Sequence, residues 1–149
     1  MKKLITLLLV MVMIFTVTAC GSTETQKQLT NTAEYDNSIL ELEEANIVTT
    51  DNGDKVVKVE ATYTNKNAEP LYALSAFAVR AFQNDKELTD ISDINGDEAS
   101  LIQEVKDGQC VSVNYVFILD DDSEVEILIG EPTADQTTIG QKTYFKETK

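Results

Sequence analysis

The 149 residues of the chain suffice for one domain with a sizeable core and are too few for two. A formal net charge of −14, from 26 acidic and 12 basic residues, makes a surface that repels phosphate backbones and argues against nucleic-acid binding. The chain has no histidine, so it lacks the commonest general base and the commonest transition-metal ligand.

Residues 1–19 have the pattern of a bacterial export signal. Lys2 and Lys3 form a short positive segment, and the apolar run 4–17 that follows is short for a stable membrane span. The run ends in small residues before a cysteine, in the order Val17, Thr18, Ala19 and Cys20.

This ending resembles the lipobox of bacterial lipoproteins. The resemblance implies that the signal peptidase recognises Val17, Thr18 and Ala19, cuts before Cys20, and leaves a diacylated sulfur on Cys20. Several acyl chains anchor a protein firmly, whereas one binds only marginally. We therefore expect a protein attached to membrane lipid through Cys20 and facing outward, on a Gram-positive surface or in a periplasm. The alternative is an uncleaved membrane helix with an incidental cysteine.

The mature chain divides into three predicted parts. Residues 20–37 are polar after the cysteine and predict a flexible linker. Residues 38–131 alternate apolar and polar side chains, as half-buried strands do, and 132–149 form a polar tail with one possible added strand. In chain order the predicted strands are 39–48 (bulged near Glu44), 55–64, 74–83, 86–88, 101–105, 110–119, 125–129 and 143–145.

These strands predict an all-β fold. Short strands separated by turns favour an Ig-like antiparallel β-sandwich of about seven strands, preceded by the helical signal segment and the linker. A partly open barrel would give a similar pattern. No stretch after the leader shows a convincing helical period.

Part of the chain resembles a family of Gram-positive lipoproteins with an Ig-like domain of unknown function. The resemblance spans about 39–131 and rests on segments 59–65, 79–88 and 105–108, although Lys86 stands where the family usually has glycine. It implies the sandwich fold and a surface location. It implies no activity and no catalytic residues.

Acidic loops raise the alternative of calcium binding, because hard cations prefer oxygen ligands. The candidate ligands are Asp93, Asn95, Asp97 and Glu98. In the EF-hand pattern counted from Asp93, Glu104 fits the twelfth position, but Gly96 falls two positions early. A solvated loop is the simpler interpretation, also for the second acidic cluster at Asp120, Asp121, Asp122 and Glu124.

Two other side chains call for an interpretation. If Cys20 is lipidated, Cys110 is a lone thiol with no base to activate it, and we expect it to be a small packed side chain. Tyr72 lies between strands and is a candidate for an exposed contact surface. The aromatic residues on strands are expected in the core: Tyr63, Phe77, Tyr115 and Phe117.

The leading functional hypothesis is a membrane-anchored, non-enzymatic Ig-like domain that binds an unknown envelope or extracellular ligand. It rests on the anchor, the linker and the missing catalytic constellation. Two alternatives remain: a calcium-stabilised structural envelope module, and an envelope hydrolase that uses paired carboxylates. Apart from calcium, no cofactor is implied.

Overall fold

The computed structural model describes residues 29–92 and 98–144. These residues form two four-stranded antiparallel sheets and two single-turn helices. The elements in chain order are β1 Thr32–Tyr35, β2 Ser38–Thr49, β3 Lys55–Asn65, α1 Ala73–Ala76, β4 Ala78–Gln83, β5 Lys86–Glu87, α2 Glu98–Leu101, β6 Cys110–Ile118, β7 Val125–Gly130 and β8 Thr138–Tyr144.

The strand order defines the connectivity of the sandwich. One sheet has the order β1-β2-β3-β6 and the other β5-β4-β7-β8. The chain crosses from the first sheet to the second after β3, returns for β6, and crosses again for β7, which is the Greek-key connectivity of Ig-like sandwiches. The predicted all-β antiparallel sandwich is confirmed, with eight strands where about seven were expected.

The core lies between the inward faces of the two sheets. Alternate side chains of β3, β6 and β7 are excluded from water because each strand points every second residue toward the facing sheet. The buried apolar residues on the inward faces of these strands are Val57, Val59, Ala61, Tyr63, Val113, Tyr115, Phe117, Val125, Ile127 and Ile129, and Val56 and Val116 pack with Ile91 in a second cluster. Period-two alternation in the sequence predicted this face correctly.

A bulge in β2 joins the two sheets along one edge. The register of β2 against β3 shifts between Leu42 and Ala45, close to the predicted position. At the bulge the backbone carbonyl of Glu43 turns toward β8, where it accepts hydrogen bonds from the Lys142 ammonium and, at 3.1 Å, from the Tyr144 hydroxyl. The bulge therefore provides acceptors that hold β8 of the second sheet against β2 of the first.

The two ends of the domain differ from the predicted boundaries. β1 lies within the segment predicted as linker, where it pairs with the first residues of β2. β8 begins at Thr138, five residues before the predicted added strand at 143. Both edge strands are mostly polar, so their sequences resemble linker and tail, and only pairing with a neighbour makes them strands.

Two of the predicted strands are wrong in part. Residues 74–83 were expected to form one strand, but Ala73–Ala76 forms α1 and the strand begins at Ala78. Alanine and leucine favour a helical turn, and the Ser75 hydroxyl stabilises it by donating to the Tyr72 carbonyl at 2.9 Å. Residues 101–105 form no strand, since Leu101 ends α2 and Val105 makes only a single bridge, to Leu71.

Two tight turns use left-handed backbone without glycine. Asp36 and Asn37 connect β1 to β2 with φ of 43° and 54°, and Asn84 and Asp85 connect β4 to β5 with φ of 50° and 62°. Consecutive positive φ values in a two-residue hairpin loop are typical of type I′ turns, which Asn and Asp tolerate. The missing glycine at Lys86 is therefore compensated by the two residues before it.

A buried amide fixes the end of β3. The side chain of Asn65 is fully buried, and its Nδ2 donates to the carbonyls of Val105 at 2.7 Å and Glu69 at 2.9 Å. Its Oδ1 accepts from the Asn67 backbone N–H at 2.8 Å. Asn65 thus joins the turn after β3 to the segment before β6.

Of the two helices in the described ranges, neither has the length or apolar character to cross a membrane.

We expect Asn65→Ala to lower the free energy of unfolding by about 2–3 kcal/mol, because it removes the three hydrogen bonds that the buried amide makes with Val105, Glu69 and Asn67. Urea unfolding followed by circular dichroism measures this change. Asn46→Ala is the matched control, since Asn46 is exposed on β2, and it should change stability by less than about 0.5 kcal/mol. Equal effects of the two substitutions would contradict the assigned role of Asn65.

Candidate functional site

An exposed apolar surface lies at the end of the sandwich where β3 ends. Tyr72, Leu74 and Ile102 are 38%, 52% and 50% exposed, respectively. With Ser75 they line a groove of about 460 Å³, called the apolar groove below. The prediction that Tyr72 occupies an exposed surface is confirmed, whereas Leu74 and Ile102 were expected on strands. An exposed apolar cluster of this kind is typical of interaction sites.

Buried neighbours hold the apolar groove in place. Leu71 and Val105 pair as an antiparallel bridge, with backbone N–H···O distances of 3.1 and 2.9 Å. Ala73 of α1 and Leu101 of α2 are buried in the core. The exposed side chains follow these buried residues directly in sequence, so the fold presents them outward on an anchored backbone.

One residue of the apolar groove, Tyr72, makes a polar contact. The Tyr72 hydroxyl donates to the Glu104 carboxylate at 3.2 Å. This hydrogen bond and the negative charge of Glu104 raise the pKa of the Tyr72 hydroxyl above its ordinary value. Tyr72 therefore stays neutral, and its hydroxyl is held by Glu104.

A second groove continues from the first. Leu74 and Ser75 also line a cavity of about 430 Å³, called the polar groove below, whose wall includes Arg80, Asp90 and Tyr115. The two grooves share lining residues, so one ligand of modest size can contact both. Sequence analysis placed Tyr115 in the core and gave Arg80 and Asp90 no role.

Two buried hydrogen-bond donors, on Arg80 and Tyr115, have no partner within the described chain. Tyr115 is only 2% exposed, yet its hydroxyl makes no hydrogen bond. Burial, assisted by the charge of Asp90, raises the pKa of Tyr115, so its hydroxyl keeps its proton. The Nε of Arg80 is also buried without a partner, although its guanidinium lies 5.5 Å from the ring centroid of Phe82. Most buried donors in native proteins are satisfied, so these two are exceptions.

The second acidic cluster lies at the opposite end of the sandwich, and its carboxylates contact different partners. Asp120 pairs with Lys86 at 2.6 Å and Asp122 with Lys55 at 3.0 Å. Asp121 accepts from the backbone N–H of Ser123 at 2.7 Å, and the hydrogen bonds from Ser123 lower the pKa of this carboxyl. Over residues 29–92 and 98–144, no group of His, Cys, Asp and Glu side chains converges as metal ligands do.

Several predicted site residues lie outside the described residues. These are the signal-peptidase recognition residues Val17, Thr18 and Ala19, the lipidation site Cys20, and the calcium candidates Asp93, Asn95 and Asp97. Glu98 is the first residue of α2. Their roles stay predictions.

The expectation for Cys110 is wrong. It is a free thiol and exposed, whereas a packed side chain was predicted. Cys110 is the first residue of β6 and pairs with Thr64 near the end of β3, where its side chain faces away from the inward row that begins at Val113. The alternation of the strand correctly placed Cys110 on the outward face. Burial was expected nevertheless, because cysteine is usually buried.

Comparison with known proteins identifies the family. The profile of a domain of unknown function, DUF5067, matches residues 17–129. The chain belongs to this family. The match covers most of the sandwich, and it agrees with the resemblance to a family of unknown function drawn from segments 59–65, 79–88 and 105–108. No curated protein matches the DUF5067 chain.

Solved structures share the fold of this DUF5067 domain. A candidate lipoprotein from Staphylococcus aureus superposes with a TM-score of 0.60 at 15% identity, covering 77% of this chain and 88% of the other. A candidate lipoprotein from Bacillus subtilis gives 0.56 at 15% identity, over 80% of this chain and 40% of the other. A protein from Enterococcus faecalis gives 0.52 at 14% identity, over 78% and 90%. At these identities the likeness establishes the sandwich fold alone.

We expect Tyr115→Phe to leave the free energy of unfolding unchanged or to raise it by up to about 1 kcal/mol, because the lost hydroxyl has no partner. Tyr63→Phe is the matched control. Tyr63 is equally buried, but its hydroxyl is hydrogen-bonded to Ser38 at 3.3 Å, so this substitution should cost about 1 kcal/mol. Thermal and urea unfolding measure both. A larger loss for Tyr115→Phe than for Tyr63→Phe would mean that the Tyr115 hydroxyl has an internal partner.

Proposed function

We propose that this DUF5067 protein is an outward-facing, membrane-anchored lipoprotein whose sandwich binds an envelope or extracellular ligand without catalysing a reaction. The apolar groove is its main contact surface. The observation that carries this proposal is the grouping of Tyr72, Leu74 and Ile102, each at least 38% exposed, around one depression.

The energetics favour an occupied groove. Burial of apolar surface contributes roughly 25 cal/mol per Å², so covering large side chains such as these supplies the central energy of a typical interface. The rest of the chain is strongly acidic, with 26 Asp and Glu residues, which keeps it soluble and discourages contacts elsewhere. An apolar groove on an otherwise acidic surface favours ligand contacts at the groove over contacts elsewhere.

The sequence that precedes the sandwich supports attachment to the membrane. The lipobox-like residues 17–20 follow an apolar run of signal-peptide length, and the family profile begins within this region, at residue 17. The S. aureus and B. subtilis fold neighbours are themselves described as candidate lipoproteins. Attachment through Cys20 would hold the sandwich on the outer face of the membrane.

A non-enzymatic role is supported by the chemistry of the side chains. With no histidine in the chain, Cys110 has no imidazole to activate it. Asp120 and Asp122 are directed to different lysines rather than toward each other, which is unlike the paired carboxylates of a hydrolase. Binding is the activity that the exposed groove supports.

We expect the double variant Leu74→Ser/Ile102→Ser to lose ligand capture at least tenfold, since each truncated contact residue removes about 1 kcal/mol or more of binding energy. The immobilised mature protein is incubated with envelope extract, and recovered material is quantified by mass spectrometry against the wild type.

The matched control for this experiment is Ile47→Ser/Val48→Ser. These side chains on β2 are 47% and 44% exposed and lie outside the groove. The control should recover the same material as the wild type. Material that is recovered equally by the groove variant, or lost equally by the control, would show that the apolar groove is not the contact surface.

We expect Cys20→Ala to release the protein from the membrane fraction or to leave it unprocessed, because the acylated sulfur supplies the anchor. Cell fractionation and the intact mass of the N-terminal peptide measure this. Cys110→Ala is the control, with the other cysteine of the chain removed, and it should stay in the membrane fraction with acyl mass on Cys20. Membrane retention of an unacylated Cys20→Ala protein would contradict the anchor.

A further inference from the structure

We propose that residues 45–49 of β2, called the free edge below, pair antiparallel with the same edge of a second copy of this chain. Of the exposed large apolar residues in the described chain, three belong to the apolar groove and the other two, Ile47 and Val48, lie on the free edge. The free edge is separate from the apolar groove, so the pairing does not depend on what the groove binds.

The two ends of β3 show which of its backbone groups face β2. In an antiparallel sheet, the N–H and C=O groups of successive residues point alternately to the two neighbouring strands. The Lys55 carbonyl accepts from the Leu119 N–H at 2.9 Å, and the Asn65 N–H donates to the Gln109 carbonyl at 3.1 Å, so both ends of β3 bond on the β6 side. The odd-numbered residues of β3 therefore bond toward β6, and the even-numbered residues bond toward β2.

This alternation leaves backbone groups of β2 unpaired along the free edge. Ala45, Ile47 and Thr49 lie opposite odd-numbered residues of β3, so their N–H and C=O groups point away from β3. No strand of the described chain pairs with this side of β2 beyond Glu41, where the register with β1 ends. A row of unpaired backbone groups on an exposed strand is a template for another strand.

Other strand edges are covered in part by the protein itself. On the outer side of β6, the Ile118 N–H donates to the Thr89 carbonyl at 2.9 Å, and the Val116 carbonyl accepts from the Ile91 N–H at 2.8 Å. On β8, the Gln141 N–H donates at 2.7 Å to a carbonyl of the chain before β1. The free edge differs from these edges because it combines unpaired backbone groups with exposed apolar side chains.

The charge pattern favours a second copy as the partner. Residues 45–50 are uncharged, although the chain carries 26 acidic residues and the preceding part of β2 includes Glu41, Glu43 and Glu44. Edge strands that avoid pairing usually carry lysine, proline or inward-pointing charges, and none of these occurs in the free edge. Two copies can therefore pair along it without placing like charges opposite each other, despite a net charge of −14 on each.

A two-fold axis at Ile47 gives the pairing its register. Ile47 then lies opposite Ile47 of the second copy, and Ala45 lies opposite Thr49, so the unpaired N–H groups of each strand meet the unpaired carbonyls of the other. Val48 lies opposite Asn46 in the intervening non-hydrogen-bonded pairs. The pairing covers both exposed apolar side chains of the free edge.

The proposed membrane attachment supplies the concentration that this contact needs. The free edge has far fewer residues than the roughly 20–30 a side of a standard stable interface, so the pairing is weak in dilute solution. Attachment through Cys20 confines the copies to one surface and raises their effective concentration. The net charge opposes association by long-range repulsion, which salt screens, so the pairing should strengthen as the salt concentration rises.

Disulfide cross-linking of the mature lipoprotein in liposomes tests both the pairing and its register. Cys110→Ala removes the exposed native thiol, and each protein then carries either Asn46→Cys or Val48→Cys. In a non-hydrogen-bonded antiparallel pair the Cα atoms are about 4.5 Å apart, which a disulfide spans. A mixture of the two variants should cross-link at least fivefold faster than either variant alone, because identical positions are offset along the strands by two residues.

Two further substitutions control for proximity and for charge. Glu41→Cys is the matched control for position, since Glu41 is exposed on β2 but lies where β1 pairs, and it should not cross-link to Asn46→Cys or Val48→Cys. Ile47→Lys should lower cross-linking of the mixture at least fivefold, because it places two ammonium groups at the two-fold axis. Ala68→Lys makes the same charge change in the exposed turn after β3 and should not lower cross-linking.

The proposal is overturned if the mixture of folded variants cross-links no faster than the single variants or than Glu41→Cys. It is also overturned if Ile47→Lys leaves the cross-linking rate unchanged, if rising salt slows cross-linking, or if Val48→Cys in intact cells cross-links to a different protein and not to a second copy. None of these outcomes bears on the apolar groove. In the capture experiment a second copy is the protein itself and is counted apart from the envelope ligand.

Discussion

The hydrogen bonds of the buried Asn65 side chain are the interaction on which the end of the domain with the apolar groove depends. Its amide donates to the carbonyls of Val105 and Glu69, which belong to segments that approach from either side of the fold. Hydrophobic burial cannot by itself align two irregular segments, because it is non-directional. The Asn65 amide is fully buried, and both its Nδ2 and its Oδ1 are hydrogen-bonded. These directional bonds place the Leu71–Val105 bridge beside the core.

A second buried amide has the same role at the other end. Gln83 donates to the carbonyls of Asp121 and Ser123 at 3.2 and 3.0 Å and accepts from the Asp120 N–H at 2.9 Å. The two ends nevertheless have different chemistry. At the Gln83 end the carboxylates accept from lysines and turn donors, and at the Asn65 end apolar side chains are exposed around the apolar groove. The two ends of the sandwich thus differ in side-chain polarity.

The sequence predicted the regular part of the fold and little of the site. Alternation identified β3, β6 and β7 because one face of each strand is buried against the facing sheet. α1 was missed since one helical turn is too short to show a period, and β1 because a polar edge strand resembles a linker. Tyr72 was found from its position between strands. Arg80 was not singled out, because the lack of a hydrogen-bond partner for its Nε depends on the folded surroundings and not on its neighbours in sequence.

The direction of β1 determines where the chain enters the sandwich. β1 runs from Thr32, opposite Glu41, toward the Asp36–Asn37 turn, whose Asn37 carbonyl accepts from the Lys66 N–H at 2.9 Å, next to Asn65. The chain therefore enters the sandwich heading toward the groove end. Because Thr32 lies opposite Glu41, which pairs with Thr62, the chain enters the first sheet closer to the Asn65 end than to the end that carries the second acidic cluster.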